Sequence, residues 1–377
     1  MGKFSHIALA TLLLAGALPA QAQSESTPLP PPELDEPNHR LCSREALFNC
    51  LDGVGSGATS LDTLRSHANG ISRPRGAGSD EERAAAVARL GLPGRERGMA
   101  AGESMLGGWT VWGSYSRSDS EGTTTLAPYD ANTDGFLVGV DRLIGERFVL
   151  GATVGYERTD SNTLFNGGSQ DRDGYSVAVY GAWLINDVLS LDASAGYARI
   201  TTDEDRLDPN NGRTLTADYD AERGFVTANL NAVKAFGPVV VGGRVGWLYT
   251  AESQDAFTER GCAPRQAGVC AARTVGERHV DLGQVYAGVD VGYGIGDFEP
   301  YAIAIYRNDL GRDDGASAGG LPGGVRPQPD DDDELQLGLG VRYFGGNGIT
   351  GSLEWLRTNG RASYDDDAFS LTVRVPF

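Results

Sequence analysis

The chain has 377 residues, of which 53 are glycine, and a formal net charge of −19 at neutral pH. This charge argues against a nucleic-acid partner, because phosphate binding needs clustered lysine and arginine side chains. Beyond residue 22 no apolar run reaches the ~18 residues that a membrane-spanning helix needs, so that class is excluded, whereas spanning β-strands are not.

The first 22 residues have the pattern of a secretory signal peptide. Lys3 precedes an apolar stretch from Ile7 to Leu18, and the small residues Ala20 and Ala22 follow it. The apolar stretch has about 12 residues, which is short for a membrane anchor. We therefore expect export and cleavage just before Gln23, with an uncleaved anchor as the alternative.

Residues 23–78 form a short N-terminal segment. It contains five prolines, typical of an extended tether, at Pro28, Pro30, Pro31, Pro32 and Pro37. Two short helices are predicted after the prolines, at residues 43–51 and 59–68. This is too little material for an independent enzyme domain.

A longer helix is predicted within residues 79–106. The capping box Ser79-Asp80-Glu81-Glu82 marks a helix start near residue 80. Pro93-Gly94 is expected to interrupt or kink the segment. Its basic side chains include Arg83, Arg89 and Arg95.

The four cysteines fall into two pairs with the same spacing, Cys42 with Cys50 and Cys262 with Cys270. Two local disulfides are the simplest interpretation for an exported chain. If Cys42 and Cys50 shared one continuous helix they would be too far apart to bridge, so Cys42 would precede the helix or pair elsewhere. Two cysteines without further ligands do not predict a metal site.

From Gly107 to Phe377 the hydrophobic pattern has period two. Phe148, Leu150 and Val154, for example, share one face of a predicted strand, and small or polar residues such as Thr153 occupy the other. We predict twelve strands, at residues 108–117, 133–144, 147–158, 172–185, 188–201, 217–236, 239–253, 277–295, 298–308, 333–344, 348–358 and 364–377.

Strand length and connection length distinguish a membrane barrel from a soluble sandwich. Most predicted strands have ten or more residues, which suits tilted strands that span a bilayer. Tight turns are predicted at 145–146, 186–187, 237–238, 296–297 and 345–347, and they alternate with longer polar loops at 118–132, 159–171, 202–216, 254–276 and 309–332 and a short one at 359–363. The predicted fold is all-β, a twelve-stranded antiparallel transmembrane β-barrel preceded by a short α-helical segment.

Several motifs carry a family resemblance over about residues 80–377. These are the opening strand GGWTVWGSYS, the hairpin GFLVGVDRLIGERFVLGATVGY, repeated Gly-Tyr strand endings and the closing strand FSLTVRVPF. With them the sequence resembles the autotransporter β-domain, the translocator of type V secretion systems. The domains are then a signal peptide (1–22), a rudimentary passenger (23–78), a linker or plug helix (79–106) and the barrel (107–377).

The resemblance implies a location and partners. The barrel would insert in the bacterial outer membrane, among outer-membrane lipid and lipopolysaccharide, as a monomer without a cofactor. The closing strand looks like the C-terminal signal that the β-barrel assembly machinery reads, which it would present through Phe369, Leu371, Val373, Val375 and Phe377.

The resemblance also implies that the helix lies in the lumen and that the preceding segment reaches the cell surface. Inward-facing acids, Asp141, Asp192, Asp290 and Glu354, would then pair with Arg83, Arg89 and Arg95. The alternative is that these arginines are merely solvated. Family members usually carry a passenger of several hundred residues, so the short segment here argues against a dedicated catalytic or adhesive passenger, and we expect it to stay attached.

Two further functions remain alternatives to translocation or display. One is an outer-membrane channel or uptake barrel with a removable plug. The other is a barrel hydrolase that uses His279 with Ser253, Asp255 or Asp281, although a single histidine among polar strand ends is more typical of a solvated surface. We expect no enzyme activity. The acidic run Asp330–Glu334 suggests a solvated strand end rather than a Ca²⁺ site.

Overall fold

The computed structural model describes residues 109–377, except 123–127, 146, 165, 187, 263–269, 271, 314–330, 346–348 and 362–363. The predicted signal peptide, the N-terminal segment with Cys42 and Cys50, and the helix with Arg83, Arg89 and Arg95 lie outside the described residues. Among the described residues, no helix is long and apolar enough to span a membrane.

Fourteen strands make up this part of the chain. They are β1 Trp109–Gly122, β2 Tyr129–Ile144, β3 Phe148–Thr163, β4 Gly168–Leu184, β5 Leu189–Leu207, β6 Thr214–Phe236, β7 Val239–Gln254, β8 Phe257–Thr258, β9 Thr274–Val275, β10 Arg278–Tyr293, β11 Phe298–Asp313, β12 Asp333–Phe344, β13 Thr350–Asn359 and β14 Tyr364–Pro376.

Twelve of these strands close a single antiparallel barrel. Each pairs with its neighbours in sequence, β7 pairs with β10, and β14 closes the ring by pairing with β1 from Thr110 opposite Pro376 to Gly122 opposite Tyr364. The two-residue strands β8 and β9 pair with each other inside the β7–β10 connection. The closed twelve-stranded barrel that the period-two hydrophobic pattern predicted is therefore confirmed.

The structure corrects the predicted loops at one rim, because the strands there continue further than the sequence indicated. Residues 159–171 were predicted as a loop, yet β3 runs to Thr163 and β4 begins at Gly168, with Asp160 opposite Asp171. Beyond the lipid the outer face of a strand meets water and the buried inner face carries polar side chains such as Ser161 and Arg172, so the apolar alternation stops while the backbone ladder continues. The opposite rim keeps the predicted tight turns, with Gly145, Gly237 and Gly296 at positive φ.

The two faces of the barrel differ in polarity. Phe148, Leu150 and Val154 of β3 point outward and are 52%, 58% and 60% exposed, whereas Val149 between them is buried. Outward aromatic side chains lie toward both ends of this apolar band, for example Phe148 stacked on Trp183 at one end and Tyr156 beside Tyr175 at the other. An apolar outer band with aromatic margins is typical of a barrel that spans a bilayer.

Candidate functional site: the barrel lumen

The lumen face of the wall is rich in buried charge. Seven arginines on this face or at its outer rim are almost fully buried: Arg172, Arg206, Arg223, Arg307, Arg342, Arg361 and Arg374. None of them is among the site residues predicted from the sequence. The signal that would have found them is their position, since Arg374, for instance, lies between the outward-facing Val373 and Val375 of β14.

The first network lies at the seam where β1 and β14 meet. Arg374 of β14 reaches across β1 and donates to both carboxylate oxygens of Asp141 on β2, at 3.1 and 2.9 Å. Tyr180 of β4 also donates to Asp141, at 2.8 Å, and accepts a hydrogen bond from the Trp112 indole. The Asp141 carboxylate thereby links β2, β4 and β14, and Trp112 adds β1 through the Tyr180 hydroxyl.

Glycines make room for the rings of this network. A Cβ at Gly151 would lie 2.4 Å from the Tyr180 ring, and one at Gly139 would lie 2.4 Å from the Trp112 ring. Such distances are impossible without a shift of the ring. The glycines opposite Trp112 and Tyr180 therefore allow both aromatic side chains to lie flat against the lumen wall.

The other three predicted acids also face the lumen, and each has a partner on the wall. Asp192 accepts hydrogen bonds from the amides of Asn229 and Asn231, at 2.7 and 2.6 Å. Glu354 accepts one from the Tyr301 hydroxyl at 2.8 Å.

Asp290 lies 3.5 Å from Arg342, which also pairs with Glu299 at 3.0 Å. The predicted inward orientation of the four acids agrees with the structure. Their pairing with Arg83, Arg89 and Arg95 stays a prediction, because those arginines lie outside the described residues.

A second network crosses the lumen toward the outer rim. Glu252 of β7 is fully buried and contacts Arg172 of β4 and Arg223 of β6, the latter at 2.9 Å. Arg223 continues to Glu157 of β3 at 3.1 Å, and Gln254 donates to Glu252 at 2.7 Å. Two of these contacts, Arg172 with Glu252 and Arg223 with Glu157, join strands that are not neighbours in the sheet, whereas Arg223 and Glu252 lie opposite each other on the paired strands β6 and β7.

The β7–β10 connection carries a third network and the predicted disulfide. Cys262 and Cys270 are bonded to each other, as expected. Below the disulfide, Glu259 accepts two hydrogen bonds from Arg206 of β5, at 2.6 and 2.7 Å, and others from Arg273. Phe257 of β8 stacks on Tyr219 of β6 with ring centroids 4.6 Å apart.

The ion pairs in the outer networks shift the acidity of their members, which lie beyond the apolar band. Burial disfavours the charge on Glu252, yet Arg172 and Arg223 together outweigh it and lower its pKa to about 2. Burial also opposes ionisation of Glu259, and hydrogen bonds from Arg206 and Arg273 nevertheless lower its pKa. Burial raises the pKa of Tyr219 to about 12. The carboxylates are therefore charged at neutral pH.

A comparison with known families assigns this barrel. Residues 111–373, more than half of the chain, match the family model described as the autotransporter β-domain. The chain belongs to that family. The family consists of outer-membrane translocator barrels, whose insertion generally involves the β-barrel assembly machinery, and it is not an enzyme family.

Solved autotransporter barrels share the fold. The translocator domain of NalP from Neisseria meningitidis is 18% identical, covers 85% of this chain and 99% of its own, and superposes with a TM-score of 0.65. The β-domain of the Bordetella autotransporter BrkA is 17% identical, covers 72% of this chain and 100% of its own, with a TM-score of 0.55. No match was found among curated protein sequences.

The rim of this autotransporter barrel does not assemble the hydrolase geometry considered for His279. Ser253 lies opposite His279 in the β7–β10 ladder, but its hydroxyl donates to Glu277 at 3.2 Å, and the same carboxylate lies 3.6 Å from His279. A serine that donates to the acid is not activated by the histidine. His279 and Glu277 are also largely solvent-exposed.

The acidic run divides between two surroundings. Glu334 points inward and pairs with Arg361 at 2.6 Å, whereas Asp332 is exposed and Asp330 lies outside the described residues. Among the described residues no group of three or more His, Cys, Asp or Glu side chains is placed to hold a metal ion.

The closing strand β14 presents its predicted apolar row outward. Phe369, Leu371, Val373 and Val375 alternate on the lipid side with Ser370, Thr372 and Arg374 on the lumen side, and Phe377 is also exposed. The backbone amide of Phe377 donates to the carbonyl of Trp109 at 3.0 Å, so both ends of the described chain meet at the tight-turn rim.

Proposed function

We propose that this autotransporter barrel displays its short N-terminal segment, residues 23–78, at the cell surface, while residues 79–106 pass through the lumen. The observation that carries the proposal is the position of Trp109 at the tight-turn rim, which in barrels of this class faces the periplasm. A preceding segment that reaches the other rim must cross the membrane.

The lumen is the only physically reasonable route for that segment. A polypeptide passing through lipid would leave its backbone groups without hydrogen-bond partners, at several kcal/mol each. The lumen offers polar partners instead, including Asp192, Asp290 and Glu354 on the wall. Arginines at positions 83, 89 and 95 suit such a surface, because a lumen of restricted dielectric strengthens opposite-charge contacts.

Further parts of the proposal concern processing and surroundings. We infer that residues 1–22 are cleaved as a signal peptide, that the barrel is a monomer surrounded by lipid and lipopolysaccharide, and that it has no catalytic activity. The outward apolar row of β14, ending with Phe377, supports recognition by the assembly machinery.

Proteolysis of intact cells tests the proposal. An epitope tag at residue 30 should be removed by added protease, while a barrel fragment remains protected. A tag after Asn210, in the β5–β6 loop of the outer rim, is the positive control for exposure. A tag at the Gly296-Asp297 turn of the opposite rim is the negative control.

Protection of the residue-30 tag until the outer membrane is permeabilised, with both controls behaving as stated, would contradict surface display. That outcome would place the segment in the periplasm and favour a channel or uptake barrel plugged from inside.

A further inference from the structure

One side of the outer lumen is crossed by an unbroken chain of ionic contacts. It runs from Glu157 on β3 to Arg223 on β6, then to Glu252 on β7, and back to Arg172 on β4. Three strand positions are a quarter of the circumference of a twelve-stranded barrel. Contacts between β3 and β6 and between β4 and β7 are therefore chords across the lumen rather than links along the wall.

Three of the four side chains in this series of contacts are sealed from solvent, and the fourth, Glu157, is 20% exposed. Arg172, Arg223 and Glu252 are each no more than 3% exposed. Thr202 and Thr250, which line the same sector, are both 0% exposed, and their hydroxyls have no hydrogen-bond partner. A water-filled passage along this sector would reach those hydroxyls, so the sector is closed.

The four side chains of this ionic series have no net charge together, and further contacts support them from the outer side. Two arginines face two glutamates, and Gln254 adds a hydrogen bond to Glu252. Above it, Gln170 donates to the Tyr219 hydroxyl at 2.8 Å, and Tyr219 stacks on Phe257 of the disulfide-linked connection. These contacts all come from strands or from the β7–β10 connection.

We propose that the Glu157–Arg223–Glu252–Arg172 chain is a permanent barrier, built from the barrel wall itself, that closes the β3–β7 side of the outer lumen. Glu252 holds it together because it contacts both arginines. A polypeptide that passes through the lumen is left with the remaining sector. The barrier does not depend on what the N-terminal segment does.

Thiol accessibility in the full-length protein tests the barrier. Thr250→Cys places a thiol on the lumen face of β7, two residues further into the barrel than Glu252. A bulky, membrane-impermeant maleimide should react with it slowly, and adding Glu252→Gln should accelerate the reaction at least tenfold because Arg172 and Arg223 lose their shared carboxylate. The parent chain, with its native cysteines, gives the background rate.

Glu222→Gln is the matched control. Glu222 precedes Arg223 on β6 but points outward, so this change should leave the Thr250→Cys rate unchanged. The heat-dependent gel shift of a closed barrel verifies folding of every variant. If Glu252→Gln does not fold, Glu157→Gln removes the less buried contact, that between Glu157 and Arg223. It should accelerate labelling of Thr250→Cys by a smaller factor.

Two results would overturn the proposal. Rapid labelling of Thr250→Cys in a protein that keeps all four ionic side chains would mean that this sector of the lumen is open. Equally slow labelling in the folded Glu252→Gln and Glu157→Gln variants would mean that something other than this chain covers Thr250.

Discussion

At the scale of single residues, the barrel concentrates its buried charge where strands must be held together from inside. Asp141 collects hydrogen bonds from Arg374 and Tyr180, which approach it from opposite sides of the β1–β14 seam. Breaking a buried pair by removing one partner leaves an uncompensated charge, which is far more harmful than losing an exposed pair.

Asp141→Asn should therefore destabilise the barrel by about 3 kcal/mol. Asp119→Asn is the matched control, because Asp119 pairs with Arg117 where both side chains are about half exposed, and it should cost less than about 1 kcal/mol. Urea unfolding in detergent micelles measures both. Equal stability of the two variants would contradict the assignment of Asp141 as the centre of the seam network.

Glu252 gives a prediction for pH. Its pKa is about 2 in the folded protein, below the ordinary 4.5, so its stabilising effect is complete above the ordinary value and is lost as the pH falls toward 2. The difference in unfolding temperature between the wild type and Glu252→Gln should stay constant from pH 8 to 5 and shrink below about 4.5. A difference that grows on acidification would be inconsistent with the buried pairing.

These residues also mark what a single sequence reveals about the site. The period-two hydrophobic pattern of the strands predicted that four acids face the lumen, and they do so in the structure: Asp141, Asp192, Asp290 and Glu354. Their wall partners could not be predicted, because pairing depends on which strands face each other across the lumen. Arg374 and Asp141, for example, are separated by 233 positions.

At the scale of secondary-structure elements, the tight turns and the lipid-spanning strand segments were predictable, but the outer strand ends were not. The tight-turn rim carries turn-forming residues, and the spanning segments alternate in polarity. Beyond the lipid band, residues such as Asp160 and Asp171 are polar on either face, so the sequence resembles a loop although the ladder continues.

Hydrogen exchange tests this continuation. Backbone amides in residues 159–163 and 168–172 should exchange slowly because they are paired in the strand ladder, whereas the amide of Gly167 in the connection should exchange quickly. Exchange of both stretches at the rate of Gly167 would support the loop predicted from the sequence and contradict the extended strands.

At the scale of the whole molecule, closure of β14 onto β1 leaves the twelve-stranded barrel that the structure describes without an unpaired edge, which permits the sheet to lie in lipid. The number of strands, the alternation of tight turns with longer loops, and the family could all be predicted from the sequence. Each of these rests on a pattern that repeats around the barrel. The passage of residues 79–106 through the lumen stays a prediction, because no pattern repeated along the sequence specifies it.

Photocrosslinking from position 89 in living cells tests the central claim, that the segment before β1 runs through the lumen. A photoreactive amino acid placed there should form intramolecular adducts, and peptide mapping should locate them on lumen-facing residues of the barrel strands. Adducts on outward-facing residues, or on other proteins of the periplasm, would contradict the account.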